Sequence, residues 1–221
     1  MKLNTLIAGE FILLSFLTAA PLRAADAPIV LSSLRSTNTF VRIEGTSTIH
    51  DWQVLGNIIM GTMQVGPNFP LEPGQTVAPG KLDAQAQIGI PVTSLKSIEK
   101  DGKPYSDKMD SVMYEKLDLP KFARIFYHLE QLDLKQAPAS KGGPYVCEAK
   151  GSLAVSGVTN IISMPVDVIP LGNKQVKVSG SVSLKMSDFK VEAPVLIGIL
   201  TTGDKVTLKF GWQVGQKNAP K

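Results

Sequence analysis

The chain has 221 residues, 43% hydrophobic and 19% charged, a balance that fits one folded domain with a sizeable core and excludes a disordered chain. Its formal net charge is +4, but the lysines are spread over alternating segments rather than interleaved with aromatics, which argues against nucleic acid as a partner. With Cys147 as the single cysteine no intramolecular disulfide can form, so stability has to come from the core.

The first element in chain order is a leader. Lys2 gives a positive start, FILLSFLTAAPL (residues 11–22) is an apolar run, and the small residues of LRAADA follow. That order reads as a secretory signal peptide (1–24) cleaved after Ala24. The run falls short of the ~20 residues of a membrane span, so no transmembrane segment is expected after cleavage. An anchor left uncleaved is the competing reading. Loss of Lys2, Arg23 and Glu10 leaves 21 basic and 18 acidic residues, a net +3. The expected location is periplasmic or secreted. Cys147 lies far from the cleavage region and cannot be a lipoprotein acylation site.

From there to residue 214 the chain reads as one domain (29–214) of short strands with period-two alternation. They are Val41–Glu44, Trp52–Met60, Ala84–Ile90, Ala123–Leu129, Cys147–Val155, Ile162–Val168, Val176–Met186 and Val206–Val214. The last two are the clearest. VKVSGSVSLKM puts Val176, Val178, Val182, Leu184 and Met186 on one face, and the final strand puts Val206, Leu208, Phe210 and Trp212 together. One stretch follows a helical period instead: Asp107–Leu117 aligns Met109, Val112, Met113 and Leu117 on one stripe, with Ser106 placed as its N-cap. Gly66–Gly80 and Gln136–Pro144 read as loops, and Gly215–Lys221 (215–221) as a frayed tail. So many alternating strands predict a large antiparallel sandwich or barrel.

The segment EGTSTIHDW (44–52) gathers His50, Asp51 and three hydroxyls, which raises the question of catalysis. A triad needs the base between nucleophile and acid, yet adjacent residues of an extended segment point to opposite faces. There is no GxSxG elbow. His128 is the one other histidine, and no His or Cys spacing resembles a metal site. Neither catalysis nor a metal or cofactor is expected. The local reading is a turn into a strand, with Gly45 at the bend, the hydroxyls bonded to nearby backbone and Trp52 buried. The methionines suit either a filled core or an adaptable apolar cavity.

Five pieces together carry a family resemblance: GTSTIHDW (45–52), IPVTSLKS (90–97), MDSVMYEKL (109–117), GSLAVSGVTN (151–160) and LKMSDFKVEAP (184–194), the last followed by the strand GDKVTLKF (203–210). The chain resembles the YceI-like family of exported, polyisoprenoid-binding, lipocalin-like barrels, in a branch opening with this His-Asp-Trp motif. Two departures stand out. Asn160-Ile161 replaces the usual Lys-Pro, and the helix lacks the Arg-Asp-x-His pattern of the better-known branch, so that branch's head-group contacts do not carry over. The resemblance implies an all-β, lipocalin-like antiparallel barrel of about eight strands with one short helix over its opening. Its lumen would hold a long isoprenoid or similar amphiphilic lipid without chemistry. Under that reading Trp52, Ile88, Ile90, Met109, Met113 and Ile125 line the apolar lumen. Tyr127, Leu153, Met186, Phe189, Leu208 and Phe210 complete it, and His50, Asp51 and Lys185 form a polar rim. The rival is a structural or interaction module of the cell envelope with a filled barrel, contacting a partner through loops such as Gly66–Gly80. An enzyme using His50 is a third reading. The identity of the lipid and the choice between monomer and homodimer stay open.

Overall fold

Alternating residues become strands here because one face of each can be buried against the others. The computed structural model describes residues 27–196 and 200–216; the expected leader and the last five residues of the expected tail lie outside them. The strands are β1 (Ile29–Ser33), β2 (Phe40–Ser47), β3 (Trp52–Gly56), β4 (Met60–Val65), β5 (Gly80–Leu82), β6 (Ala84–Pro91) and β7 (Lys96–Ile98). The helix α1 (Asp107–Lys116) follows, then β8 (Arg124–Gln136), β9 (Tyr145–Val155), β10 (Val158–Gly172), β11 (Gln175–Lys185), β12 (Val195–Leu196) and β13 (Leu200–Gly215).

Neighbours pair antiparallel in the order β4-β6-β8-β9-β10-β11-β13, and β1 bridges the two ends by pairing with both β4 and β13. The result is a closed eight-stranded barrel. Further along, β2 continues the wall begun by β1 and pairs with β13; β3 pairs with β2, and β7 pairs with β3. Three wall strands are therefore built in two pieces each. The expected strand Trp52–Met60 is one of these: it breaks after Gly56, and Met60 starts β4. Similarly, a single 3-10 turn at Val92–Ser94, entered through Pro91, separates β6 from β7.

The inward faces follow the alternation. On β9, Tyr145, Cys147, Ala149, Gly151 and Leu153 are buried, while Lys150 is exposed. The longer β8 changes phase, burying Ile125 and Leu129 and then Leu132 and Leu134, because the pairing with β9 shifts register between Leu129 and Gln131. That bulge is why the pattern predicted a strand ending at Leu129. At the other boundary, Gly215 is not tail. It is buried in β13, paired with Ser32 on one side and Gln175 on the other.

The two ends of the barrel differ. One is filled by Trp212, Tyr145, Leu31, Leu82, Leu132 and Leu134, all nearly fully buried. The segment 66–79 has no strand, as expected, yet it folds back under this end instead of extending into solvent. Its Phe69 is only 1% exposed, and the Tyr145 hydroxyl donates to the Gln75 carbonyl. The Gln75 side-chain oxygen in turn accepts from the backbone N–H of Leu71 (3.0 Å) and Glu72 (3.3 Å), which fixes the turn. At the opposite end, α1 crosses the barrel. Ser106 has the extended backbone of an N-cap, but its side chain makes no capping bond. Its backbone is held by Ser97, whose hydroxyl accepts from the Ser106 N–H (3.2 Å) and donates to the Ser106 carbonyl (3.1 Å).

Phe69 makes the closing segment part of the core. Phe69→Ala should therefore cost about 3–5 kcal/mol, seen as a lowered midpoint in urea. Ile49→Ser, at a side chain 64% exposed, should change that midpoint by less than ~0.5 kcal/mol.

Candidate functional site

Beneath α1 the barrel is not filled. A cavity of about 630 Å³ opens at this end, within the usual range for small-molecule sites. Its inner wall is Ile43, Val54, Ile125, Leu153, Val206 and Leu208. The helix adds Met109, Val112, Met113 and Leu117, and the turn after β11 adds Met186 and Phe189. Polar side chains appear at the mouth: His50, Asp51, Glu99, Lys100, Lys116 and Lys185. Two large apolar groups stand exposed beside them, Ile49 and Tyr105, the latter 47% accessible.

The structure brings together Trp52, Met109, Met113, Ile125, Leu153, Met186, Phe189 and Leu208 around this space, with His50, Asp51 and Lys185 at its rim. It does not place Ile88, Ile90, Tyr127 or Phe210 there. All four lie on the inward face, but Ile90 is buried in the core and Ile88 packs against it. The two aromatics lie against glycines. A Cβ on Gly180 would sit 3.0 Å from the Phe210 ring, and one on Gly151 would sit 2.9 Å from the Tyr127 ring. Each ring thus covers bare backbone instead of projecting into the lumen. The Tyr127 hydroxyl is buried without a hydrogen bond among the described residues. Burial, helped by the charge of Glu130, pushes its pKa up to about 12.

Sequence reasoning missed Ile43 and Val54. Both flank the His-Asp-Trp motif on the inward alternation of β2 and β3, so the signal was present. It also missed Glu99, Lys100 and Tyr105, which come from a loop with no period to read, and Lys116 on α1.

The motif itself is a hairpin at the mouth. Ser47 Oγ accepts from the backbone N–H of Ile49 (3.4 Å) and His50 (3.3 Å) and donates to the His50 carbonyl (2.7 Å), as the hydroxyl reading expected. Gly45 has a different job from the bend assigned to it. It sits mid-strand opposite Trp52, and a Cβ there would be 2.2 Å from the indole, so only glycine lets the ring lie flat on the wall. The indole N–H donates to the Thr46 carbonyl at 3.1 Å. Trp52 is accordingly half-buried rather than buried.

The His50 ring meets no acid–nucleophile pair. Its Nδ1 lies 2.8 Å from the Asp51 carbonyl, and its Nε2 lies 3.5 Å from the Tyr105 hydroxyl, with the two rings edge to face at 5.9 Å. The contact ties the β2–β3 turn to the loop before α1. Ser47 bonds backbone, not imidazole, so no relay is assembled. Among the described residues no cluster of three or more His, Cys, Asp or Glu is placed to hold a metal ion, and no helix is long and apolar enough to cross a membrane. The Cys147 thiol is buried and its pKa is pushed up to about 12, chiefly by burial, with the charges of Asp167 and Asp133 adding to it, so at neutral pH it is an unreactive core group.

What holds α1 over the cavity is a buried carboxylate. Asp110, 4% exposed, accepts from the Ser97 N–H at 2.7 Å and pairs with Lys96 at 3.1 Å. Tyr114, one turn on, donates to the Leu95 carbonyl at 2.8 Å and lies under the Lys96 ammonium. Burial alone would raise the Asp110 pKa. The bonds from Ser97 and the Lys96 charge outweigh it and hold the group below the usual carboxylate range.

A family model described as YceI-like domain matches residues 34–214. No curated protein matches the sequence. Among solved structures, a polyisoprenoid binding domain from Saccharophagus degradans, implicated in plant cell wall breakdown, aligns with a TM-score of 0.59 at 15% identity, over 84% of this chain and 98% of that one. BcnA of Burkholderia cenocepacia aligns at 0.53 and 18% identity, over 78% and 95%. A mutant Campylobacter jejuni YCEI protein aligns at 0.51 and 12% identity, over 75% and 85%. At these identities the likenesses speak for the fold alone.

Because the folded pKa of Asp110 is depressed, its stabilisation is full above the unfolded value near 4 and is lost as pH falls through the folded value. Asp110→Asn should cost about 1.5–3 kcal/mol at pH 7. The gap between variant and wild type should shrink on acidification, read from urea midpoints measured from pH 7 down to pH 3.

Proposed function

Because this chain belongs to the YceI-like family, we propose that it is an exported, non-catalytic carrier of an isoprenoid or similar amphiphilic lipid. One observation carries the reading: an apolar cavity of about 630 Å³ inside a barrel whose other end is sealed. Empty greasy space is unfavourable for the wall that surrounds it, since those side chains give up packing partners. A guest tail restores these contacts and removes its own surface from water, at about 25 cal/mol per Å².

The distribution of polarity sets the direction of entry. The inner wall is aliphatic, whereas His50, Lys100, Lys116 and Lys185 ring the mouth. A tail enters first and leaves its head among these groups. Glu99 and Asp51 share the rim, so an anionic head is favoured only modestly. The rival reading of a filled barrel needed a packed lumen, and here packing stops halfway. Catalysis by His50 would need converging partners, and its ring meets a carbonyl and a phenol instead. The polyisoprenoid-binding domain among the structural neighbours supports the ligand class by analogy.

Protein purified from its native envelope should carry a co-extracted lipid, found by organic extraction and mass spectrometry at close to one per chain. Repeated extraction without such a lipid would sink the carrier reading. Met113→Glu places a charge on the cavity wall and should lower lipid occupancy at least tenfold while the circular-dichroism spectrum stays that of wild type. Export has its own check: the periplasmic or secreted form should begin at Ala25 by N-terminal sequencing.

A further inference from the structure

The lip of the cavity carries apolar side chains that the fold itself does not use. Ile49, in the turn between β2 and β3, is 64% exposed, the highest value among the large apolar residues described. Ser47 holds that turn through the backbone N–H groups of Ile49 and His50, which leaves the Ile49 side chain outside the core. Tyr105, exposed in the loop before α1, stands beside it, because the His50 ring that follows Ile49 meets the Tyr105 ring edge to face. All three residues line the cavity as well, so apolar lining continues from the inner wall to the solvent-facing edge. The charge around this edge is balanced. Lys100, Lys116 and Lys185 stand against Asp51, Glu99 and Glu192, the last paired with Lys116 at 3.3 Å. A lip of that kind does not steer a charged partner from a distance; what it offers is apolar surface with a polar surround.

We propose that this lip docks on the surface of a lipid bilayer, with Ile49 and Tyr105 entering the boundary between headgroups and acyl chains. The inference rests on the carrier reading and names the partner from which the cavity is loaded. A tail that crosses water to reach the cavity exposes its apolar surface on the way, which is unfavourable in proportion to its area. With the lip seated on the bilayer, the tail passes from acyl chains to the inner wall alongside Ile49 and stays out of water. The other side chains suit the same boundary. A tyrosine buries its ring there and keeps its hydroxyl among headgroups. Lys100, Lys116 and Lys185 lay their stems along apolar surface and hold their ammonium groups in water. Because the charges cancel, the attachment is apolar in origin and does not depend on anionic lipid.

The test is flotation of the full-length mature protein with vesicles of phosphatidylcholine, alone or mixed with phosphatidylglycerol, at low and at high salt. Wild type should float with both kinds of vesicle, and its partition coefficient should change less than about threefold with salt. Ile49→Ser should lower that coefficient about tenfold, and Ile49→Ser combined with Tyr105→Ser should lower it further. Ile161→Ser, at a side chain 55% exposed on the outer face of β10, should leave it unchanged. Urea midpoints confirm that each variant is folded. Wild type that stays with the unbound fraction overturns the docking, as does an Ile161→Ser loss equal to that of Ile49→Ser. Flotation confined to phosphatidylglycerol vesicles and abolished by salt overturns it too, since charge would then hold the protein. Failure of the carrier reading shows separately, in the lipid extraction: protein that yields a co-extracted lipid yet never floats loses the docking and keeps the carrier.

Discussion

The barrel closes through a short seam, and everything inside depends on it. β1 meets β13 at only two paired positions, Ser32 with Gly215 and Ser33 with Val214, while its other edge pairs with β4. The Trp212 indole N–H donates to Ser33 Oγ at 2.8 Å across that seam. Closing the sheet leaves no unpaired edge around the ring, and fixing eight strands fixes the circumference. An interior of that width is at the limit of what side chains fill, so whether a given level is core or cavity is decided by the residues that face inward there.

At the sealed end those residues are large and meet across the axis, and a loop adds Phe69 from below. At the helix end the wall is thinned. Trp52 lies on Gly45, and deeper in the barrel Tyr127 lies on Gly151 and Phe210, two inward positions further along β13, on Gly180. Placing a ring flat on a glycine conserves wall contact while withdrawing the side chain from the axis. The same device thus keeps the mouth wide at Trp52 and draws Phe210 and Tyr127 against the wall. The helix completes the enclosure without filling it. Its grip on the barrel is local and polar, through Asp110, Ser97, Lys96 and Tyr114, whereas its apolar stripe faces the space. A cover fixed by one buried carboxylate can span an opening that apolar packing would otherwise collapse.

Much of this was legible in the chain. Alternation located strands within every long element of the wall, and the 3.6-residue stripe located α1 to within one residue. Eight of the twelve apolar residues expected to line the lumen do meet at the cavity. Alternation reports only which face points inward, however, and is silent about how far a side chain reaches. Tyr127 and Phe210 face inward, as the carrier reading expects; the glycines that receive them belong to other strands and are visible only once register is known. The same limit explains Gly45, where a bend and a cross-strand seat for Trp52 look alike in sequence.

The sequence by itself determined the all-β class, the inward faces and the helix, since each follows from local period and residue type. Only the tertiary structure decided where the core ends and the cavity begins. That boundary depends on strand register, on a loop folding back under one end and on which glycine receives which ring, all of them relations between residues far apart in the chain. Local patterning fixes the direction of a side chain, whereas empty space is a property of the whole wall at once.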